Sequence, residues 1–190
     1  WQARARALAA RFGAARAAGR SPARIVVVGT GPAGLFAALV LAECGLRPLV
    51  LERGTRGDAR AADVRRFRET GRLAPESSVP FGEGGAGTWS DGKLFTRIHD
   101  PRMDFVLRTF ADCGAPESIL YFSHPHLGSD RLPGIIASLR EKIVSLGGTF
   151  LFRRTVSDIA VRNGVCRGVM LASGETLSAP CVLIAAGNFV

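Results

Sequence analysis

Between an apolar run, Ile25-Val-Val-Val28, and a small-residue stretch, Leu35-Phe-Ala-Ala-Leu39, stands the hexapeptide Gly29-Thr30-Gly31-Pro32-Ala33-Gly34. Three glycines at this spacing, placed between a buried strand and a helix, constrain the fold more than any other part of the chain. Gly29 permits a tight turn, Gly31 removes the side chain that would keep a diphosphate away from the backbone, and Gly34 lets the helix lie close to the strand. The first amides of the helix, at the positive end of its dipole, then face the ligand's negative charge. Pro32 has no N–H to offer, but its fixed φ suits the first helical position.

The same stretch excludes a membrane span. Ile25–Ala42 carries no charge over eighteen positions, close to the length a bilayer requires, yet the glycines and Pro32 would break a helix a third of the way along. A strand, a turn and a helix account for every residue. The helix ends at Gly45, and Leu46–Glu52 reads as a second strand with Pro48 arguing for an edge or early position. The result is one βαβ unit. Glu52 stands 18 residues after Gly34, where a carboxylate can accept both hydroxyl protons of an adenosine ribose and repel a 2′-phosphate. NADP is thereby disfavoured, and Arg53 beside Glu52 softens that discrimination slightly. The bland alternative is an ordinary glycine turn with a surface glutamate.

The formal charge of +9 invites a nucleic-acid reading. Six arginines precede the first acid, Glu43, and without them the charge is 9 − 6 = +3. The excess is largely an Arg/Ala-rich leader or linker, residues 1–23, which holds five of the six, and the body lacks the footprint of a dedicated polyanion binder. Cys44, Cys113, Cys166 and Cys181 are widely spaced with no CxxC pair and no zinc-ligand interval. That spacing speaks against a metal site, a disulfide scaffold or a redox-active dithiol, and makes a reducing cytoplasm the expected compartment.

Further along, Asp58–Thr70 is charged and helical in pattern. Gly71–Pro101 holds six glycines and three prolines without periodicity, too long for an ordinary connector. Arg102–Cys113 carries Met103, Val106, Leu107 and Phe110 on one helical face, and Ile135, Ile136, Leu139, Ile143 and Leu146 repeat the pattern before Gly147-Gly148 stops it. Thr149–Arg153, Val156–Val161, Val165–Leu171, Glu175–Leu177 and Cys181–Ala185 are short β-rich runs, separated in part by Arg162-Asn163-Gly164 and Ala172-Ser173-Gly174. The expected architecture is α/β: a doubly wound parallel sheet with a β-meander and an inserted irregular and helical region. Residues 24–55 and 131–190 would form the core of the domain, and 56–130 the insertion.

An NAD domain would place a third strand within a few dozen residues of Glu52, but the next candidate, Thr149, lies almost a hundred positions on. Residues 27–39, with Leu51-Glu-Arg-Gly54, resemble the FAD-binding N-terminus of two-dinucleotide-fold flavoproteins related to glutathione reductase. The stretch Phe81-Gly-Glu-Gly-Gly-Ala-Gly-Thr-Trp-Ser-Asp-Gly-Lys-Leu94, with Asp100-Pro-Arg102 and Gly114-Ala-Pro-Glu117, resembles the bacterial family of "uncharacterised FAD-dependent dehydrogenases" from about residue 25 to the end of the chain. That resemblance implies FAD as cofactor. It also implies that the strand around Thr149–Val156 passes the adenine and that the strand matching Val182–Ala186 ends in Gly187 near the FAD, although the family has Thr or Ile where Ala186 stands. Members are considerably longer, so the chain reads as an N-terminal part whose missing portion completes the flavin pocket.

Gly82, Gly84, Gly85 and Gly87 can expose successive N–H groups as a nest, with Thr88, Ser90 and Lys93 as further donors. Gly85, Ala86, Gly87 and Lys93 are thus expected to pack against the FAD; the alternative is a structural glycine-rich loop. His126 is a weak acid/base candidate. The family has Lys where His124 stands, and no metal site is expected from the His124–His126 pair. The expected function is FAD-dependent oxidoreduction, with flavin carrying the chemistry for a small-molecule substrate. An NAD-linked dehydrogenase is the competing enzyme, and a flavin- or nucleic-acid-binding module using the basic leader is the non-enzymatic alternative. Oligomeric state is not legible.

Overall fold

The computed structural model describes residues 24–187 apart from 78, 80–81, 90–91, 94–99, 123–126 and 128–129, and before residue 24 only Ala7 and Ala10. The leader, His124 and His126 therefore lie outside the described residues.

Ile25–Val28 is strand β1, and Pro32–Glu43 is helix α1. Strand β2 is Leu49–Leu51, followed by α2 at Gly57–Thr70, α3 at Arg102–Asp112 and α4 at Leu132–Ser145. Then come β3 (Thr149–Leu151), β4 (Val156–Arg162), β5 (Val165–Leu171), β6 (Thr176–Ser178) and β7 (Cys181–Ile184). Four strands form a parallel sheet in the order β3-β2-β1-β7, and β4-β5-β6 form an antiparallel sheet. In the hairpin between β4 and β5, Asn163 and Gly164 both take positive φ, 53° and 73°, the pair of values a two-residue primed turn requires.

Successive residues of β1 and β2 face opposite layers because side chains alternate along a strand. Val27 and Val50 pack with Leu35, Ala38 and Leu39 of α1 and Ile135, Ile136, Leu139 and Ile143 of α4. Val26, Leu49 and Leu51 pack on the other side with Val169 and Leu171 of the meander. Helices cover one face of the parallel sheet and the meander covers the other. Both faces being buried, the strands are apolar runs instead of alternating ones. Helix α1 is apolar all round for a similar reason. Its outer side meets α3, where Phe36 sets its ring edge-on to Phe110 at 5.5 Å and to Phe105 at 6.0 Å.

Several boundaries move from their sequence positions. β2 begins after Pro48 and lies in the interior of the sheet, so the early-position reading of Pro48 holds and the edge reading does not. Proline can accept but not donate: the Pro48 carbonyl takes the N–H of Thr149 at 2.9 Å and pairing by β2 starts one residue later. The apolar stretch 25–42 is strand, turn and helix, and no helix among the described residues is long and apolar enough to cross a membrane.

Candidate functional site: a glycine-lined cradle at the ends of the parallel strands

Strands β2 and β3 lie on one side of β1 and β7 on the other. The chain thus reverses its winding direction at β1, and the carboxyl end of that strand opens onto the crevice where open α/β sheets take ligands. The loop Gly29–Gly34 occupies this point, and its three glycines meet three different surroundings. Gly29 has φ +103°, and a Cβ there would lie 2.5 Å from the carbonyl oxygen of Ala185. A Cβ on Gly34 would stand 2.0 Å from the Gly29 oxygen. A Cβ on Gly31 would meet nothing within 4 Å. Two glycines are filled against protein; the third faces open space at the N-terminus of α1.

Gly31 is the N-cap of that helix, with no side-chain cap bond. Its carbonyl accepts the Leu35 N–H at 3.0 Å. Ala33 and Gly34 fall in the first turn, where amides have no intrahelical acceptor. A hollow beside Gly31, with first-turn amides around it, suits an anionic diphosphate.

Glu52, at the end of β2, is 4% exposed. Its Oε2 accepts the N–H of Thr30 at 3.0 Å and the Thr30 hydroxyl, and its Oε1 accepts the N–H of Gly54 at 2.8 Å. The carboxylate ties the phosphate loop to the second strand. Three of roughly four acceptor sites on the carboxylate are thus used inside the protein. The Thr30 side chain consequently points inward, whereas Pro32 and Ala33 are exposed. Arg53 turns away to Glu76, 3.1 Å from its carboxylate.

The second glycine-rich segment docks on the first. The N–H of Gly84 donates to the Thr30 carbonyl at 2.8 Å, and a Cβ on Gly85 would come within 2.9 Å of the Pro32 Cδ. The Gly85 N–H donates to the Gly82 carbonyl at 2.7 Å. The amides of Gly84 and Gly85 are therefore spent within the protein, which corrects the expectation of a nest formed by successive free N–H groups. A short 3-10 turn, Ala86–Trp89, follows. Ala86 and Gly87 are exposed there, while Thr88 is buried with its hydroxyl donating to the Glu83 carbonyl at 3.1 Å. The Trp89 indole N–H is buried without an acceptor. Lys93 is exposed next to Gly92, whose carbonyl accepts from Leu127.

The sequence reading missed three charged side chains that hold this loop. Arg60 of α2 is 1% exposed and donates to the carbonyls of Glu83, Val79 and Gly85. Burial pulls its guanidinium down to about 10, against the opposing pull of Glu52 and Glu83; it stays a cation at neutral pH. The Glu83 carboxylate accepts the N–H of Gly57 at 2.6 Å and pairs with Arg140 of α4 at 2.5 Å. The signal was faint: Arg60 lies four residues before Val64, on the one face α2 buries.

At the far edges, the N–H of Glu52 donates to the Leu151 carbonyl, and the N–H groups of Arg153 and Arg154 donate to the carbonyls of Gly54 and Glu52. The chain leaving β3 thus runs beside Glu52, while Val156 packs in the meander-side core. Ala185 closes against Gly29, and Gly187, φ +79°, follows with open space around it.

Residues 24–63, from β1 into α2, match the FAD binding domain family. The cofactor is FAD. The chain is 45% identical over 166 residues to an uncharacterized protein of Clostridium beijerinckii, covering 87% of this chain and 31% of that protein. It thus spans about a third of that relative's length. Among solved structures it is similar to Thermovibrio ammonificans THI4 (TM-score 0.55, 19% identity, 88% of this chain and 58% of that one). It is also similar to the GidA-related protein from Thermus thermophilus (TM-score 0.52, 15% identity, 90% and 55%). At these identities the two structures share the fold.

Proposed function

We propose that this chain is the FAD-binding part of an FAD-dependent oxidoreductase acting on a small-molecule substrate. The observation that carries the reading is the empty side of Gly31 at the start of α1, with the FAD-domain match running through it. When bound, FAD supplies a ring that takes or gives a hydride or electron pair. The residues here do the rest of the work. The amides of Ala33 and Gly34 bind the diphosphate, the free acceptor site of Glu52 orients the ribose, and the Gly82–Gly85 turn walls the hollow against water. Gly187, Gly87 and Lys93 are the candidates for contact beyond the diphosphate.

The length difference from the Clostridium relative supports reading this chain as an N-terminal part, with substrate-binding groups contributed elsewhere. Similarity to the uncharacterised FAD-dependent dehydrogenases rests on residues 81–94, with 100–102 and 114–117, and the contacts of Gly84 and Gly85 with the phosphate loop give the first of these motifs a physical purpose. The wide spacing of the four cysteines, two of them buried, suits a reducing cytoplasm.

The test is to purify the protein, record its visible spectrum and identify the released cofactor by mass. A yellow preparation releasing FAD, bleached by a metabolite, supports the proposal. A colourless protein that takes up NAD and not added FAD would favour the NAD-linked alternative.

A further inference from the structure

Arg60 heads the fully buried side chains by volume among the described residues, and it sits on a helix that otherwise buries only Val64. Burying a guanidinium is costly unless its donors are matched. An apolar side chain of similar length could fill the same space without that cost. What it could not do is gather carbonyls. Arg60 draws in three from a single segment: Glu83 at 2.5 Å, Val79 at 3.0 Å and Gly85 at 3.1 Å. Its planar fork suits such divergent acceptors, whereas an ammonium is a point donor. The Trp89 ring lies beside it, 5.8 Å from Cζ to the centroid.

The gathered segment is the one whose other side touches the phosphate loop. Gly84 donates to Thr30, and Gly85 comes close enough to Gly31 that a Cβ would stand 3.8 Å from its Cα. Gly82 is pressed from the Arg60 side, where a Cβ would meet the guanidinium carbon at 3.3 Å. One arginine on α2 therefore sets where the wall beside the Gly31 hollow stands.

We propose that Arg60 is a positioning residue for the diphosphate of the bound dinucleotide, acting through the carbonyls of Val79, Glu83 and Gly85. The inference rests on the FAD reading of the cradle. It assigns to α2, which the ligand need not touch, control over how tightly the phosphates are held.

The experiment compares wild type, Arg60→Lys, Arg60→Met and Val64→Ala by titration calorimetry with FAD and with ADP, well below each apo unfolding midpoint. Val64→Ala loosens the same helix while leaving the Arg60 bonds to the loop carbonyls in place, and controls for a merely structural effect. We expect Arg60→Lys to weaken ADP and FAD about tenfold and Arg60→Met to weaken them further, with Val64→Ala within about twofold of wild type. If Arg60→Met does not fold, Arg60→Lys carries the test. Equal weakening by Arg60→Lys and Val64→Ala, or none by either, overturns the inference and leaves the FAD reading standing. Wild type that binds neither FAD nor ADP overturns both.

Discussion

The two glycine-rich turns of this cradle are built on opposite plans. In Gly29–Gly34 each glycine has its own geometric reason within a few residues or in the adjoining strand: a positive φ, an open side, a close approach. In Gly82–Gly87 the backbone takes its position from side chains far away in sequence, Arg60 before it and Arg140 after it. The first turn is shaped by its glycines and tied by one carboxylate, Glu52; the second adds to its backbone bonds two arginines and a buried glutamate. The first turn is therefore most sensitive at Gly29 and Gly34, where a Cβ has no room, and the second is vulnerable at a distance.

The hardest test of the charge-held turn is Glu83→Ala. It leaves the Arg140 guanidinium and the Gly57 N–H without their shared partner, and breaking such a pair should cost about 3–5 kcal/mol. Chemical denaturation of the apo protein measures it; a loss below about 1 kcal/mol would mean that charge does not hold this turn. Next comes Gly34→Ala in the backbone-held turn, where a methyl 2.0 Å from a carbonyl must push α1 off the strands. We expect about 1–3 kcal/mol of destabilisation, toward the upper end, with lowered FAD affinity.

Gly31→Ala sharpens the contrast between the two plans. Its φ of −66° suits any residue and a Cβ meets no neighbour, so apo stability should stay within about 1 kcal/mol of wild type and can rise. FAD affinity should nonetheless fall about tenfold or more. A variant that binds FAD as well as wild type would remove Gly31 from the ligand's path.

The smallest effect is expected at the exposed end of α2. Arg56 beside Asp58 holds that carboxyl well below the usual range through a side-chain hydrogen bond. A lowered value favours the folded state above the ordinary aspartate pKa, and the advantage is lost as pH falls through the folded value. Exposure and salt screen it. Acid unfolding curves of wild type and Asp58→Asn should coincide at 0.15 M salt and separate, if at all, only at low ionic strength.

How much of this was legible follows from the same contrast. The βαβ unit, the four helices, the meander and the first turn declare themselves through local pattern, and they fell within a few residues of their expected places. The role of Glu52 was half legible. Its position at the strand end follows from spacing, but its bonds to Thr30 and Gly54 depend on where the side chain turns. The amides of Gly84 and Gly85 were misjudged because glycine composition shows that a backbone can bend, and not what it bends onto. Arg60, Glu83 and Arg140 left almost no trace, since charged residues in a charged helix or a loop are ordinarily solvated.

The pairing of β1 has a consequence for how the chain acquires its shape. Val26 sits between Leu49, reached soon after it, and Val182, near the far end. Contacts of such long sequence separation form late and slowly. Because Gly29 rests against Ala185, which follows β7 directly, the hollow is completed only when β7 arrives. During synthesis the diphosphate would find no finished seat until β7 had left the ribosome, long after the glycine loop itself was made.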